Sequence, residues 1–114
     1  MILAVLENLS KAEILLNNLS EADFNLDDVS VIHADVKQRD AVAKDVGPLK
    51  GTAPEKLTEK LTRLGVPKKD AEICQDAIFK NKVVVVMEIP SELNETAQEM
   101  FRDYSAQIIK GDTK

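Results

Sequence analysis

The sequence has few aromatic residues and few residues that form cross-links or bind metals. Of its 114 residues, 4% are aromatic, tryptophan is absent, and cysteine and histidine each occur once. A core with so few rings must be mainly aliphatic, and platforms on which nucleic-acid bases stack are largely missing. The single cysteine, Cys74, excludes an internal disulfide, and one histidine, His33, without a cysteine cluster does not make a metal site. We therefore expect neither a cofactor nor a metal.

The chain also lacks a long hydrophobic run and an excess of basic residues. Its longest apolar stretch is far shorter than the roughly 18 to 20 residues that a membrane span requires, so no membrane insertion is expected. Twenty acidic against 15 basic residues give a net charge of −5, which disfavours nucleic acid as a partner. The central lysines, Lys44 to Lys69, alternate with acids, which is typical of a solvated face. No signal peptide precedes the strand-like residues Ile2 to Leu6, and together with the unpaired cysteine this predicts a cytoplasmic protein.

The most distinctive segment is Lys82 to Pro90, KVVVVMEIP. Four successive valines and a methionine leave no polar alternate face, which predicts a strand covered on both faces at the centre of a sheet. Met1 to Leu6 predicts a second buried strand, and Val29 to Ala34 predicts a third. A hydrophobic content of 44% is enough to cover such a sheet with helices in one domain, residues 1–114.

Apolar residues at helical spacing predict four amphipathic helices around these strands. The first helix follows an S-x-x-E capping box formed by Ser10 and Glu13, and the second follows a similar pair, Thr52 and Glu55. Gly65 ends the second helix in a left-handed conformation. The predicted inward stripes are Ala12, Leu15, Leu16, Leu19 and Ala22; Leu57, Leu61 and Leu64; Ala71, Cys74, Ala77 and Ile78; and Ala97, Met100, Phe101 and Tyr104.

Residues 35–53 show neither helical nor alternating periodicity. Charged residues, Gly47-Pro48 and Gly51 interrupt both patterns, so we predict a long central connection of above-average mobility. At the other end of the chain, Gln107 to Lys110 fit either the continuation of the last helix or a short edge strand.

No arrangement of residues predicts catalysis. His33 next to Asp35 is interpreted as a histidine satisfied by a local hydrogen bond rather than as a base. Cys74 lies on an inward stripe, where a thiol behaves as a small hydrophobe with a raised pKa. Asp27 and Asp28 fall in a polar turn and are interpreted as solvated acids rather than as an acid/base pair. We therefore name no catalytic, cofactor-binding or metal-binding residue and predict that the protein is not an enzyme.

Two pairs of segments carry a resemblance to a known family. One pair is LGVPKKDAE, Leu64 to Glu72, with NKVVVV, Asn81 to Val86; the other is VLEN, Val5 to Asn8, with FNLDDVSVI, Phe24 to Ile32. These segments resemble the bacterial general stress protein or heat-induced stress protein (YflT-like) family. The resemblance implies a ferredoxin-like or related β-α-β-α-α-β-α order, an α+β sandwich with its helices packed on one sheet, and it favours a closing edge strand at Gln107 to Lys110. It implies an association with stress but no set of active residues.

Two hypotheses of function follow. The favoured one is a non-enzymatic, stress-associated interaction module that acts through self-association, as a homodimer or homo-oligomer, or through a protein partner. An exposed strand edge, at the first strand or near Ile108, would provide the contact. The alternative is a small-ligand-binding regulatory domain of ferredoxin-like fold that senses a nucleotide or an amino acid, with residues 35–53 as the responsive element. A pocket lined by that connection would favour the alternative.

Overall fold

Strands and helices alternate along the chain, except that three α-helices follow one another between the second and third strands. The computed structural model describes residues 1–111, so the last three residues of the predicted single domain lie outside the described residues. The elements are β1 (Ile2–Leu6), α1 (Leu9–Glu21), β2 (Val29–Ile32), α2 (Val36–Val42), α3 (Leu57–Arg63), α4 (Lys68–Phe79), β3 (Val83–Met87), α5 (Ser91–Asp103) and β4 (Gln107–Lys110). Single turns of 3-10 helix, Leu26–Asp28 and Pro54–Lys56, precede β2 and α3.

The strands form one antiparallel sheet in the order β2-β3-β1-β4. The units β1-α1-β2 and β3-α5-β4 are each a split β-α-β unit with a third strand between their two strands, which is the ferredoxin-like arrangement. The predicted α+β sandwich with a closing edge strand is therefore confirmed. The valine-rich strand β3 is buried along its whole length and lies between β2 and β1, as its lack of a polar face predicts.

The sheet separates two aliphatic cores. Val84 and Val86 of β3 face the core that includes residues of α3 and α4, whereas Val83 and Val85 face the core that includes residues of α1 and α5. Each valine is fully buried, which stabilises the fold by about 1.5–3 kcal/mol per side chain. The longest helices, α1 and α5, have 13 residues each, and in the described part of the chain no helix is long and apolar enough to cross a membrane.

The connection of residues 35–53 contains a helix that the sequence analysis did not predict. Helix α2 begins after Asp35, whose carboxylate accepts a hydrogen bond of 3.1 Å from the amide of Gln38. The prediction of irregular structure was wrong over Val36–Val42 because α2 buries none of its residues fully and so has no apolar stripe to reveal it. The signal that was present is the cap itself, an aspartate followed three residues later by a glutamine.

Both predicted capping boxes are wrong. Helix α1 begins after Asn8, whose side chain accepts a hydrogen bond of 3.0 Å from the amide of Lys11, and Ser10 lies inside the helix. Helix α3 is preceded by the 3-10 turn Pro54–Lys56 and has no side-chain cap. The hydroxyl oxygen of Thr52 is instead buried without a hydrogen-bond partner.

The predicted end of α3 is confirmed. Gly65 has φ 91°, and the amides of Val66 and Gly65 donate hydrogen bonds of 3.0 and 3.1 Å to the carbonyls of Leu61 and Thr62. This pair of bonds defines a Schellman motif. Leu64, which was placed on the inward stripe, is 40% exposed because it is the last residue before the chain turns away.

The sheet has β2 at one edge and β4 at the other. The prediction of an open edge at the first strand was wrong, because β1 lies between β3 and β4. The second predicted location, near Ile108, does lie at an edge, since Ile108 belongs to β4. Within residues 1–111 no strand lies on the outer side of β4.

Candidate ligand-binding cleft

A cleft of about 240 Å³ opens between α1 and the segment that follows α2, and we call it the α1–α2 cleft. Its lining consists of six aliphatic residues, Leu16, Leu26, Val29, Val42, Ala43 and Val46, and three polar ones, Asn17, Asp27 and Lys44. The three polar side chains are exposed and form the rim, whereas Leu16 and Val29 are buried and form the floor. The cleft therefore has an apolar body and a polar mouth.

The end of α1 and the turn that follows it build the first wall. Asp23 adopts a left-handed conformation, φ 68°, where the chain leaves the helix. The side chain of Asn25 then accepts a hydrogen bond of 2.9 Å from the amide of Asp27 and so fixes the 3-10 turn. This local hydrogen bond holds Leu26 and Asp27 beside the cleft.

Helix α2 brings in the second wall, and Arg39 holds this helix to the sheet. The Arg39 guanidinium donates a hydrogen bond of 3.1 Å to the carbonyl of Val31 at the outer edge of β2. It also pairs with Asp40 at 2.9 Å and with Asp45 at 3.8 Å. The Arg39 side chain is only 11% exposed, so these contacts replace water around its charge. Val42 and the residues after it are thereby placed opposite α1.

The segment after α2 crosses the edge of β2 and is tied to Ser30. The buried hydroxyl of Ser30 donates a hydrogen bond of 2.7 Å to the carbonyl of Val46 and accepts one of 2.8 Å from the amide of Leu49. Between them Gly47 has φ +84°, and Leu49 enters the core on the opposite side of the sheet. These contacts fix Val46 in the wall of the cleft and cover the outer edge of β2.

The histidine and the cysteine that occur once each in the sequence, His33 and Cys74, both lie outside this cleft. His33 is 8% exposed, and its Nδ1 accepts a hydrogen bond of 3.0 Å from the amide of Asp35, which confirms the local interpretation. It borders a cavity of about 10 Å³, which has room for a single water molecule. Cys74 is fully buried, and burial, with a smaller effect of the Asp70 carboxylate, raises the pKa of its thiol from 9.0 to about 12. Among residues 1–111 no three His, Cys, Asp or Glu side chains are grouped so as to hold a metal ion.

The turn acids differ in position. Asp27 and Asp28 are both exposed, as predicted, but only Asp27 lines the cleft.

Sequence reasoning missed the cleft because its walls come from segments far apart in the chain. Leu16 was assigned to the core on its helical spacing alone, and Val42 is the last residue of a helix without an apolar stripe. The pattern at Asp35 would have revealed that helix.

No protein-family model matches the chain, and neither a curated protein nor a solved structure matches it.

Proposed function

We propose that the protein is a cytoplasmic, non-enzymatic regulatory domain that binds a small molecule in the α1–α2 cleft. The cleft itself carries the proposal, because a concave apolar surface with a few polar groups at its mouth is the usual composition of a small-molecule site. Its only ionisable side chains are Asp27 and Lys44, and both are exposed, so neither has the desolvated setting that activates an amine or a carboxylate as a nucleophile. A single buried thiol, Cys74, agrees with a reducing compartment.

The position of the cleft supports a regulatory role. Four of its nine lining residues belong to the 35–53 connection, and polar contacts from Arg39 and Ser30 attach that connection to β2. A ligand in the cleft adds apolar contacts between this connection and α1. Because a ligand that binds only the native state stabilises that state, occupancy would strengthen the attachment with the logarithm of ligand concentration once that concentration exceeds Kd.

A screen of small molecules with two matched variants tests the proposal. We expect at least one amino acid, carboxylic acid or amine to raise the melting temperature and to shift the NMR signals of Leu16, Val29 and Val46. Val42→Phe fills the cleft and should abolish both effects. Val36→Phe adds the same ring to the same helix at a position that is 45% exposed and outside the cleft, so binding should persist. A screen in which no compound moves the cleft signals would overturn the proposal.

A stress-associated interaction module that works through self-association is a second candidate, and the two edges of the sheet favour it. The edge of β2 is covered, whereas β4 has no strand on its outer side within the described residues. An uncovered edge is a template for pairing with a second copy or with a protein partner. Ile108 and Ile109 are half-buried and would gain cover in such a pair. The edge is short, however, with four residues and a bulge against β1, features that weaken edge pairing.

Light scattering on a concentration series tests this second candidate. Pairing through β4 predicts a monomer–dimer equilibrium that Gln107→Lys weakens, because the variant places a charge on the strand that would pair. Gln38→Lys makes the same charge change on an exposed glutamine of α2 and should leave the equilibrium unchanged. A monomer at every concentration would exclude self-association, and equal effects of the two variants would exclude the β4 edge.

A further inference from the structure

Two opposite charges lie on the rim of the α1–α2 cleft and do not pair with each other. Asp27 comes from the turn after α1, and Lys44 comes from the segment after α2. Neither side chain takes part in an ion pair within residues 1–111, although the exposed cations Lys11, Arg63 and Lys80 each reach a neighbouring acid. An anionic and a cationic group thus face one apolar cavity with their charges available.

We infer that the α1–α2 cleft takes a free aliphatic α-amino acid of the size of leucine, isoleucine or valine. The inference rests on the proposed ligand-binding function and names the ligand class. The α-ammonium group would meet the Asp27 carboxylate, the α-carboxylate would meet the Lys44 ammonium, and the branched side chain would lie among the six aliphatic residues of the cleft. The amide of Asn17, the third polar group at the rim, can both donate and accept a hydrogen bond.

The size and lining of the cleft distinguish an amino acid from a nucleotide. Its volume of about 240 Å³ lies below the range of about 300–1,000 Å³ that is typical of drug-sized ligands. No aromatic residue lines it, so a base has no ring to stack on. One lysine opposed by an aspartate is a poor site for phosphate, because the carboxylate repels the anion that the ammonium attracts.

The charges distinguish a zwitterion from ligands of one sign. A fatty acid would be attracted by Lys44 and repelled by Asp27. An alkylamine would be attracted by Asp27 and repelled by Lys44. Only a ligand that carries both charges, with an apolar group beyond them, is complementary to the two rim charges and to the aliphatic floor. The two contacts are exposed, so each strengthens binding by only about two- to fivefold.

A crossed set of ligands and variants tests the inference by NMR titration. The ligands are L-leucine, 4-methylpentanoate, which lacks the amine, and 3-methylbutylamine, which lacks the carboxylate. Wild type should bind L-leucine about two- to fivefold more tightly than either analogue. Asp27→Asn should remove the preference over 4-methylpentanoate and retain the preference over the amine. Lys44→Gln should do the opposite.

Two control variants and a separate readout keep the outcomes distinct. Asp28→Asn and Lys50→Gln remove neighbouring exposed charges that do not line the cleft, and they should leave all three affinities unchanged. If the analogues bind as tightly as L-leucine, or if the Asp27 and Lys44 variants behave like their controls, the zwitterion inference is overturned while ligand binding stands. If none of the three ligands binds but another compound shifts the cleft signals, the amino-acid class is wrong. If no compound does, the proposed function fails with it.

Discussion

A Cβ atom on Gly47 would lie 2.6 Å from the hydroxyl oxygen of Ser30. It would also lie 2.9 Å from the backbone nitrogen of Ser30 and 2.9 Å from the carbonyl carbon of Val29, so a rotation of the serine side chain would not relieve the contact. The φ angle of +84° adds a conformation that residues with a side chain rarely adopt. Glycine is therefore required where the connection crosses the edge of β2, and this crossing places Val46 in the α1–α2 cleft.

The replacement Gly47→Ala should lower the free energy of unfolding by about 2–5 kcal/mol. Left-handed strain accounts for about 1–2 kcal/mol, and the forced contact with the β2 backbone adds about 1–3 kcal/mol. Gly51→Ala is the matched control, because Gly51 has φ +78° but nothing within 4 Å of the added atom; it should cost only the strain. Urea unfolding measures both. Equal losses in the two variants would mean that the close approach to Ser30 contributes nothing.

The position of the N-cap of α1 can be tested by removing the two competing side chains. Asn8→Ala should destabilise the protein by about 1 kcal/mol because the amide of Lys11 loses its acceptor. Ser10→Ala should change the free energy of unfolding by less than about 0.5 kcal/mol, since Ser10 is exposed within the helix. Thermal and urea unfolding of the two variants show which of the two side chains caps the helix. The reverse order would restore the capping box that the sequence suggested.

The parts of the fold that could be predicted are those with strong local signals. The valines of β3 have no polar face, so they had to lie between two layers wherever their partners came from. The end of α3 at Gly65 depends only on local hydrogen bonds, from the amide of Gly65 to a carbonyl three residues earlier and from the amide of Val66 to a carbonyl five residues earlier. Such a pattern is visible in a short stretch of sequence. The periodicity of Gln107–Lys110 fitted either a continued helix or an edge strand, and the topology implied by the family resemblance favoured the strand.

The parts that could not be predicted depend on contacts between distant residues. The start of helix α2 is marked locally by Asp35 and Gln38, but its attachment to the sheet is not. The helix is held by the bond from Arg39 to the carbonyl of Val31 rather than by an apolar stripe, and nothing in residues 35–53 alone indicates that bond. The cleft likewise depends on Leu16, Val29 and Val46, which are far apart in the chain but line the same cleft in the fold. A sequence reading assigns each of these residues to its own element and gives no sign that a space is left between them.

The buried thiol of Cys74 should make stability fall with pH in alkaline solution. Burial, and to a smaller extent the Asp70 carboxylate, raises the pKa of the thiol from 9.0 to about 12. Between these values the unfolded chain releases the thiol proton while the native state retains it, so the free energy of unfolding decreases as pH rises. This group contributes at most about 1.4 kcal/mol per pH unit. Well below pH 9.0 both states are protonated, and the thiol contributes no pH dependence there.

The comparison with Cys74→Ala isolates the thiol from other groups that titrate in the same range. At about pH 8 the variant should be less stable by about 1–2 kcal/mol, because a fully buried side chain has been shortened. At about pH 10 the difference should narrow, because only the wild type loses stability through Cys74. Urea midpoints at the two pH values provide the measurement. A difference that stays constant would show that the thiol titrates alike in the two states.

Arg39 should affect both stability and ligand binding although it does not line the cleft. Arg39→Ala leaves the carbonyl of Val31 at the edge of β2 without its donor, at a cost of about 1–3 kcal/mol. Because Arg39 also positions α2, which ends at Val42 and leads into Lys44, we expect weaker binding of L-leucine by protein that is still folded. Arg63→Ala is the control: its pair with Glu59 is exposed on α3, a helix with no residue in the cleft lining. The variant should cost about 0.5 kcal/mol or less and leave binding unchanged.

Urea unfolding and NMR titration at a temperature where both variants are folded separate the two effects of Arg39. A loss of stability with unchanged leucine affinity would mean that β2 and the turn after α1 hold the cleft open without α2. A loss of affinity in Arg63→Ala of the same size would mean that binding responds to global stability rather than to the placement of α2. Only a loss of affinity confined to Arg39→Ala agrees with a cleft whose second wall is anchored by one guanidinium on the edge of β2.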